Sequence, residues 1–272
     1  MSNPLAMFQA AEVSFRRGPR PPRRRPLRRR FLAGLMFLLP VLARAQGGPP
    51  LATDDPGTPG DGNWEINLAW TREHAAGATA QESPLVDINY GWGERLQLKY
   101  EASWLVLSGE GRGARAGVSD SSAGVKWRFR DDGPQGWAVS TFPQLGFRTA
   151  GSSVRRGVAT GDTTFLLPFE VQRTFGVLEL NADAGWSFDR RAPDGWLGGL
   201  AAGTEWRPGC ELLAEIHAEG ETGAGLVRLL GDVGARVRLG AHATLLVSAG
   251  GDLRRRDGGR AVISYVGVQL TR

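Results

Sequence analysis

Glu211, Glu215 and Glu219 recur every four residues, and Arg236 and Arg238 stand two apart. In a β-strand, residues an even number apart share a face. The three carboxylates therefore line one face of the segment 210–218 and its end, and the two guanidinium groups line one face of 225–239. These segments are sequence neighbours and should pair. A carboxylate row facing a guanidinium row satisfies both through charge-assisted hydrogen bonds. Two readings stay open for the five residues: a selectivity constriction in a lumen, or a structural ion network that fills a narrow barrel.

Other chemistry is sparse. His217 alternates with Ile216 and Ala218, so it should face inward, beside Glu215 and Glu219. His74 falls in an expected outer loop and His242 at an expected periplasmic turn. A lipid hydrolase of the outer membrane would need a Ser–His pair on the outer rim. No serine motif accompanies His217, so an enzyme is not expected and no catalytic residue is assigned. No phosphate-binding or dinucleotide-binding glycine loop opens a helix, so no cofactor is expected. Cys210 is the single cysteine, which excludes an internal disulfide and a cysteine-based zinc site. Asp54-Asp55 reads as a turn sooner than as a calcium ligand pair, and no metal site is assigned.

The elements that must position these residues are strands. Beyond residue 45 the hydrophobic pattern repeats with period two and shows no amphipathic helix. Trp64, Ile66, Leu68 and Trp70 share one face. Leu96, Leu98, Tyr100, Ala102 and Trp104 oppose Arg95, Gln97, Lys99, Glu101 and Ser103. Leu178, Leu180, Ala182, Ala184, Trp186 and Phe188 oppose Glu179, Asn181, Asp183 and Ser187. Twelve strands follow, at about 63–70, 85–91, 94–104, 122–130, 136–147, 163–172, 176–188, 196–206, 210–218, 225–239, 242–252 and 261–270. Their lengths lie near what a tilted membrane strand needs.

Connections are expected to alternate in length. Long loops follow the odd strands, at 71–84, 105–121, 148–162, 189–195, 219–224 and 253–260. Short turns follow the even ones, including Trp92-Gly93 and Gly240-Ala241. Outer-membrane barrels are built in this way, with an even strand number. Trp64, Trp70, Trp92, Trp104, Trp127, Trp137, Trp186, Trp196 and Trp206 lie at or near strand ends, where an interfacial girdle belongs. In lipid every backbone polar group must find a partner, so a spanning sheet must close on itself.

The N-terminus reads as a leader. Residues 1–30 hold nine arginines and one acid, Glu12, and an apolar run spans Phe31 to Ala43. That run is too short to cross a bilayer as a helix. With Ala43-Arg44-Ala45 after it, the three parts of a cleavable signal peptide are present over residues 1–45. The whole chain has 33 bases and 28 acids. Ten arginines and one acid fall in the leader, which leaves the rest at net −4. The basic balance therefore belongs to the leader, and no nucleic-acid partner is expected.

Residues Pro50 to Asn67 resemble the start of mature proteins of the MetA-pathway phenol-degradation family. The match is a Thr53-Asp54-Asp55, a Thr58-Pro59-Gly60, then Gly62-Asn63-Trp64 opening the first strand. Tyr90-Gly91-Trp92-Gly93-Glu94-Arg95-Leu96 and Gly124-Val125-Lys126-Trp127-Arg128-Phe129 resemble later stretches of the same family. The chain departs from common barrels in ending Gln269-Leu270-Thr271-Arg272 without a terminal aromatic. The resemblance implies an outer-membrane barrel of transporter type and supplies no catalytic residues.

The expectation is an all-β, transmembrane, antiparallel up-and-down β-barrel of about 12 strands, behind a signal peptide (1–45) and a periplasmic segment (46–62). Thr53, Asp54 and Asp55 belong to that segment, which either enters the lumen as a plug or is a leader remnant. The expected partners are outer-membrane lipid, the barrel-assembly machinery and a small-molecule solute, aromatic or apolar ones among the candidates. A passive channel or transporter, a closed structural barrel and an outer-membrane lipid-modifying enzyme are the three readings carried forward.

Overall fold

The structure, a computed structural model, describes residues 48–109 and 112–272. The proposed signal peptide lies outside the described residues. The strands are β1 (Trp64–Ala75), β2 (Ala78–Trp92), β3 (Leu96–Gly109), β4 (Arg112–Val118), β5 (Ser121–Asp131), β6 (Trp137–Thr141), β7 (Gln144–Phe147), β8 (Thr164–Phe175), β9 (Leu178–Asp189), β10 (Gly195–Arg207), β11 (Cys210–Glu221), β12 (Gly225–Arg238), β13 (Ala243–Arg255) and β14 (Ala261–Thr271). One short helix, α1 (Gly151–Arg155), sits between β7 and β8.

All pairings are antiparallel, and β1 pairs with β14 from Glu65↔Thr271 to Ala75↔Ala261. The sheet therefore closes. Two of the wall's strands are each broken once. β4 and β5 together face β3, with Trp104↔Val118 above the break and Glu101↔Ser122 below it. β6 and β7 together fill the gap between β5 and β8. The second break falls at Phe142-Pro143, where proline has no N–H to give the ladder. Counted as spans, the wall is a closed antiparallel barrel of twelve strands.

Two of the expected outer loops are corrected. Residues 71–84 are mostly strand, because β1 and β2 pair all the way to a two-residue turn at Ala76-Gly77, both with positive φ (47° and 80°). That is the hairpin turn whose twist suits two strands. Residues 105–121 are likewise largely β3 and β4. The alternation in connector length thus becomes a difference in how far strands project beyond the barrel's far end. His74 accordingly lies on β1, with Nδ1 2.8 Å from Thr79 Oγ1, rather than in a loop.

The outer surface is apolar. Leu68, Leu98, Val125, Phe169, Leu200, Ile216, Val233 and Val266 all project outward and exposed. Trp64, Trp92, Trp127, Trp137, Phe175 and Trp206 ring the end that carries the described chain termini, while Trp104, Phe165, Trp186 and Phe188 ring the other. On β9, Leu178 and Phe188 mark the two rings. Ten residues at about 3.3 Å each, on a strand tilted by about 40°, rise roughly 25 Å. That is the height of a barrel's lipid-facing band. Arg173 lies over Trp137 and Phe175, each at 4.9 Å, where a cation can sit at the rim with its stem in the apolar zone.

Candidate functional site

The interior is polar along its whole length. Inward residues include Asn67 and Glu73 on β1, Glu82 and Asp87 on β2, Lys99 and Glu101 on β3, Lys126 on β5, and Glu170 on β8. On the opposite side they include Glu179 and Asp183 on β9, Glu215 and His217 on β11, Arg228, Asp232 and Arg236 on β12, and Asp252 on β13. Among the described residues, buried acids outnumber buried lysines and arginines fourteen to four. Carboxyl groups thus predominate over fully buried cations in the lumen.

The five residues singled out in the sequence do not act as two facing rows. Glu211 lies opposite Arg236 and pairs with it, Arg236 Nη1 to Glu211 Oε2 at 3.5 Å. Glu219 lies opposite Arg228. Glu215, however, lies opposite Asp232, so two carboxylates meet in the middle of the row. Arg238 is corrected outright. It ends β12, exposed, with its N–H donating to Gly209 O at 2.8 Å, and it takes no part in the lumen. It has the right parity but lies one pair of residues beyond the barrel's rim. Arg228, ten residues from Arg238, is the second luminal guanidinium of β12. It pairs with Asp252 and lies 3.6 Å from Glu73.

Lys99 and Lys126 are buried luminal residues that the sequence analysis did not single out, although the alternation gave Lys99 its face. Lys99 Nζ lies 3.5 Å from Asp87 and 3.0 Å from Glu101. Lys126 Nζ lies 3.2 Å from both Asp54 and Glu170, and donates to the carbonyl of Asp55. Phe142, turned into the lumen beside the proline break, puts its ring 4.8 Å from Lys126 Nζ and 5.9 Å from Lys99 Nζ. Inward parity at 99 was readable. The convergence of the two lysines needs the closure of β3 on β5 and of β6 on β8.

Residues 48–56 lie inside the barrel, with Thr53 completely buried and Asp54, Asp55 and Leu51 nearly so. Arg236 donates to the carbonyls of Gly48 and Pro49 at 3.0 and 2.8 Å. Ser248 donates to Pro50 O at 3.0 Å. The N–H groups of Ala52 and Thr53 both donate to Glu215, at 2.9 and 2.8 Å, and that of Asp54 to Asp183 Oδ2 at 3.3 Å. Burial pushes the Asp55 carboxyl up against the pull of Lys126, with Asp54 adding to the rise. Toward the rim the segment docks on β2, where Gly62 N donates to Gly91 O. Gly91 must be glycine, since a Cβ there would stand 1.8 Å from Gly60 O. Between this segment and the wall with the two lysines remains a polar cavity of about 40 Å³, lined by Asp54, Asp55, Asp87, Asn89, Lys99 and Lys126 among others. It has room for about two or three waters.

The far end is covered as well. Val158 of the segment after α1 packs with Ala80, Leu105 and Leu107. Asp120 holds that segment by accepting from Thr160 N at 2.7 Å and Thr160 Oγ1 at 2.6 Å. His217 faces the lumen, on the opposite side of the wall from lipid; neither ring nitrogen has a hydrogen-bond partner, and Nε2 lies 3.8 Å from Glu219 Oε1.

The chain matches no family model and no curated protein. Solved structures do resemble it. An outer membrane channel from Pseudomonas putida F1 matches with a TM-score of 0.65 at 14% identity, over 84% of this chain and all of the other. The KdgM porin, solved in complex with disordered oligogalacturonate, matches with a TM-score of 0.52 at 12% identity, over 75% of this chain and 98% of the other. The NanC porin matches with a TM-score of 0.53 at 10% identity over the same shares. At such identities the likeness is one of fold: the chain is a twelve-stranded barrel of the architecture on which these outer-membrane channels and porins are built.

Proposed function

We propose that this protein is an outer-membrane channel for small hydrophilic solutes, exported by way of a cleaved leader over residues 1–45 and inserted by the barrel-assembly machinery. The observation that carries the proposal is the charged lining. A barrel that served only as a scaffold could fill its interior with interlocking apolar or mutually neutral groups. This one holds fourteen buried acids to four buried lysines and arginines. A surplus of one charge in a lumen selects and concentrates the opposite charge. The apolar and aromatic solutes suggested by the family resemblance find little matching surface there.

A second reading has its own support. Residues 48–56 occupy the lumen and the 148–163 segment covers the far mouth, an arrangement that suits a closed barrel whose business lies in its external hairpins. Reconstitution separates the two readings. The channel reading expects single-channel currents in planar bilayers and solute uptake by proteoliposomes, increased when the inner segment is loosened. Absence of flux from both the parent and a loosened variant, each shown folded by heat-modifiable gel migration, would leave the closed barrel.

A further inference from the structure

The wall formed by β9 to β12 is built differently from the rest of the lumen. Its floor is β10, whose inward residues Gly199, Ala201 and Gly203 are small. On one side stand Glu179 and Asp183 of β9, in register with Gly203 and Gly199. On the other stand Glu215 and His217 of β11, in register with Ala201 and Gly199, and beyond them Asp232. The result is a trough with carboxylates on both rims. Glu179 and Asp183 are four residues apart, about 13 Å along the strand.

Among the described residues, Glu179, Asp183, Glu215 and Asp232 form no ion pair. Asp183 Oδ1, Asp232 Oδ1 and both nitrogens of His217 have no hydrogen-bond partner, and all three side chains are more than nine-tenths buried. Glu215 and Asp232 face each other directly, an arrangement that costs stability unless a positive group lies between or above them. Buried charge normally comes with a counter-charge, and here no side chain supplies one.

What occupies the trough is the main chain of Ala52 to Asp54. Its three consecutive N–H groups donate to Glu215 twice and to Asp183 once. Leu51 packs on Ala201 and Leu213 at the trough floor. These N–H donors stand where ammonium or guanidinium hydrogens would stand, but bring no formal charge. We propose that this trough is the binding subsite for an extended cationic solute of the linear polyamine class, and that residues 51–53 occupy it as an internal competitor which the solute displaces, while the Asp54 side chain stays on Lys126. The assignment rests on the channel reading for its physiological sense, but the binding itself does not.

The probe is spermidine, tested on the purified full chain lacking only its leader, in zwitterionic detergent. Calorimetry should show saturable binding that weakens with salt. The double variant Asp183→Asn with Glu215→Gln should bind at least about ten-fold more weakly, the loss expected when charge-assisted hydrogen bonds become neutral ones. Equal affinity in the two proteins, or no binding by the parent, overturns the proposal. A second measurement does not depend on that variant's folding. With Thr53→Cys in a Cys210→Ser background, spermidine should raise the rate of maleimide labelling at residue 53 several-fold. Sodium chloride at matched ionic strength should not. No rise overturns the displacement. In planar bilayers spermidine should block or carry current. Binding without any current in any variant would sink the channel reading while leaving the subsite standing.

Discussion

The two sides of the lumen treat buried charge in opposite ways. On the side of β2, β3, β5 and β8, each ammonium is surrounded: Lys99 by Asp87 and Glu101, Lys126 by Asp54 and Glu170, with the Phe142 ring beside both. On the side of β9 to β12, between the Arg236–Glu211 pair and Arg228, the four carboxyl groups of Glu179, Asp183, Glu215 and Asp232 stand without a cation. Main-chain N–H groups of the inner segment donate to Glu215 and Asp183, the Asn181 amide to Glu179, and the Ser248 hydroxyl to Asp232. Paired charges fix one arrangement, because each partner is stranded if the other leaves. Carboxylates held only by neutral donors can exchange them for something more positive. The first wall is a structural lining and the second is a surface poised for a ligand.

Substitutions should fall into two groups along that divide. Lys126→Met should give the largest effect. It leaves Asp54 and Glu170 buried without their shared cation, and removing one partner from a buried ion pair costs about 3–5 kcal/mol. The midpoint of heat-modifiable migration in detergent should drop well below that of the parent, and the inner segment should become protease-sensitive. Asp232→Asn is the counterpart on the other wall. It removes one of two directly facing carboxylates, so stability should hold or rise by up to about 1 kcal/mol. Equal losses for Lys126→Met and Asp232→Asn would erase the distinction between the walls.

Gly199→Leu addresses the occupant of the trough. Even a Cβ at residue 199 would stand 2.2 Å from Thr53 Oγ1 and 2.5 Å from Asp183 Oδ1. Those are movable side-chain atoms, so the barrel should survive while residues 51–53 are pushed out. Single-channel conductance should rise several-fold over the parent. An unchanged conductance in a folded variant would mean that the inner segment does not limit passage.

The division between inside and outside was legible in the sequence, because it needs only parity. Glu211, Glu215, Glu219, His217 and Arg236 all face inward as their spacing demands, and twelve spans follow from the same alternation. Pairings across neighbouring strands were partly legible. Glu211 meets Arg236, but the register placed Asp232, not an arginine, opposite Glu215. Arg238 failed for a reason parity does not contain, namely where along its strand the barrel ends. The projecting hairpins were hidden because alternation breaks there. The β1–β2 register shifts between Ala69 and Thr71, and that of β2–β3 between Glu82 and Leu85, around Pro84. The meeting of Thr53 with Glu215 spans 162 residues. Only closure of the sheet, with the N-terminal segment folded inward, brings them together.

The smallest expected effect lies outside the lumen altogether and tests the projecting hairpins. Ala76 holds φ at 47° in the turn between β1 and β2. A residue with a Cβ pays roughly 1 kcal/mol or more to sit in the left-handed region, and glycine does not. Glycine also adds freedom to the unfolded chain, which offsets part of the gain. Ala76→Gly should therefore leave conductance and spermidine affinity unchanged. It should raise stability in urea titration by a few tenths of a kcal/mol. Ala76→Val, with branching at Cβ in the same conformation, should lower it by more than that. A reversed order of the two variants would mean that β1 and β2 do not meet in this two-residue turn, and that residues 71–84 form the long loop that their broken alternation suggests.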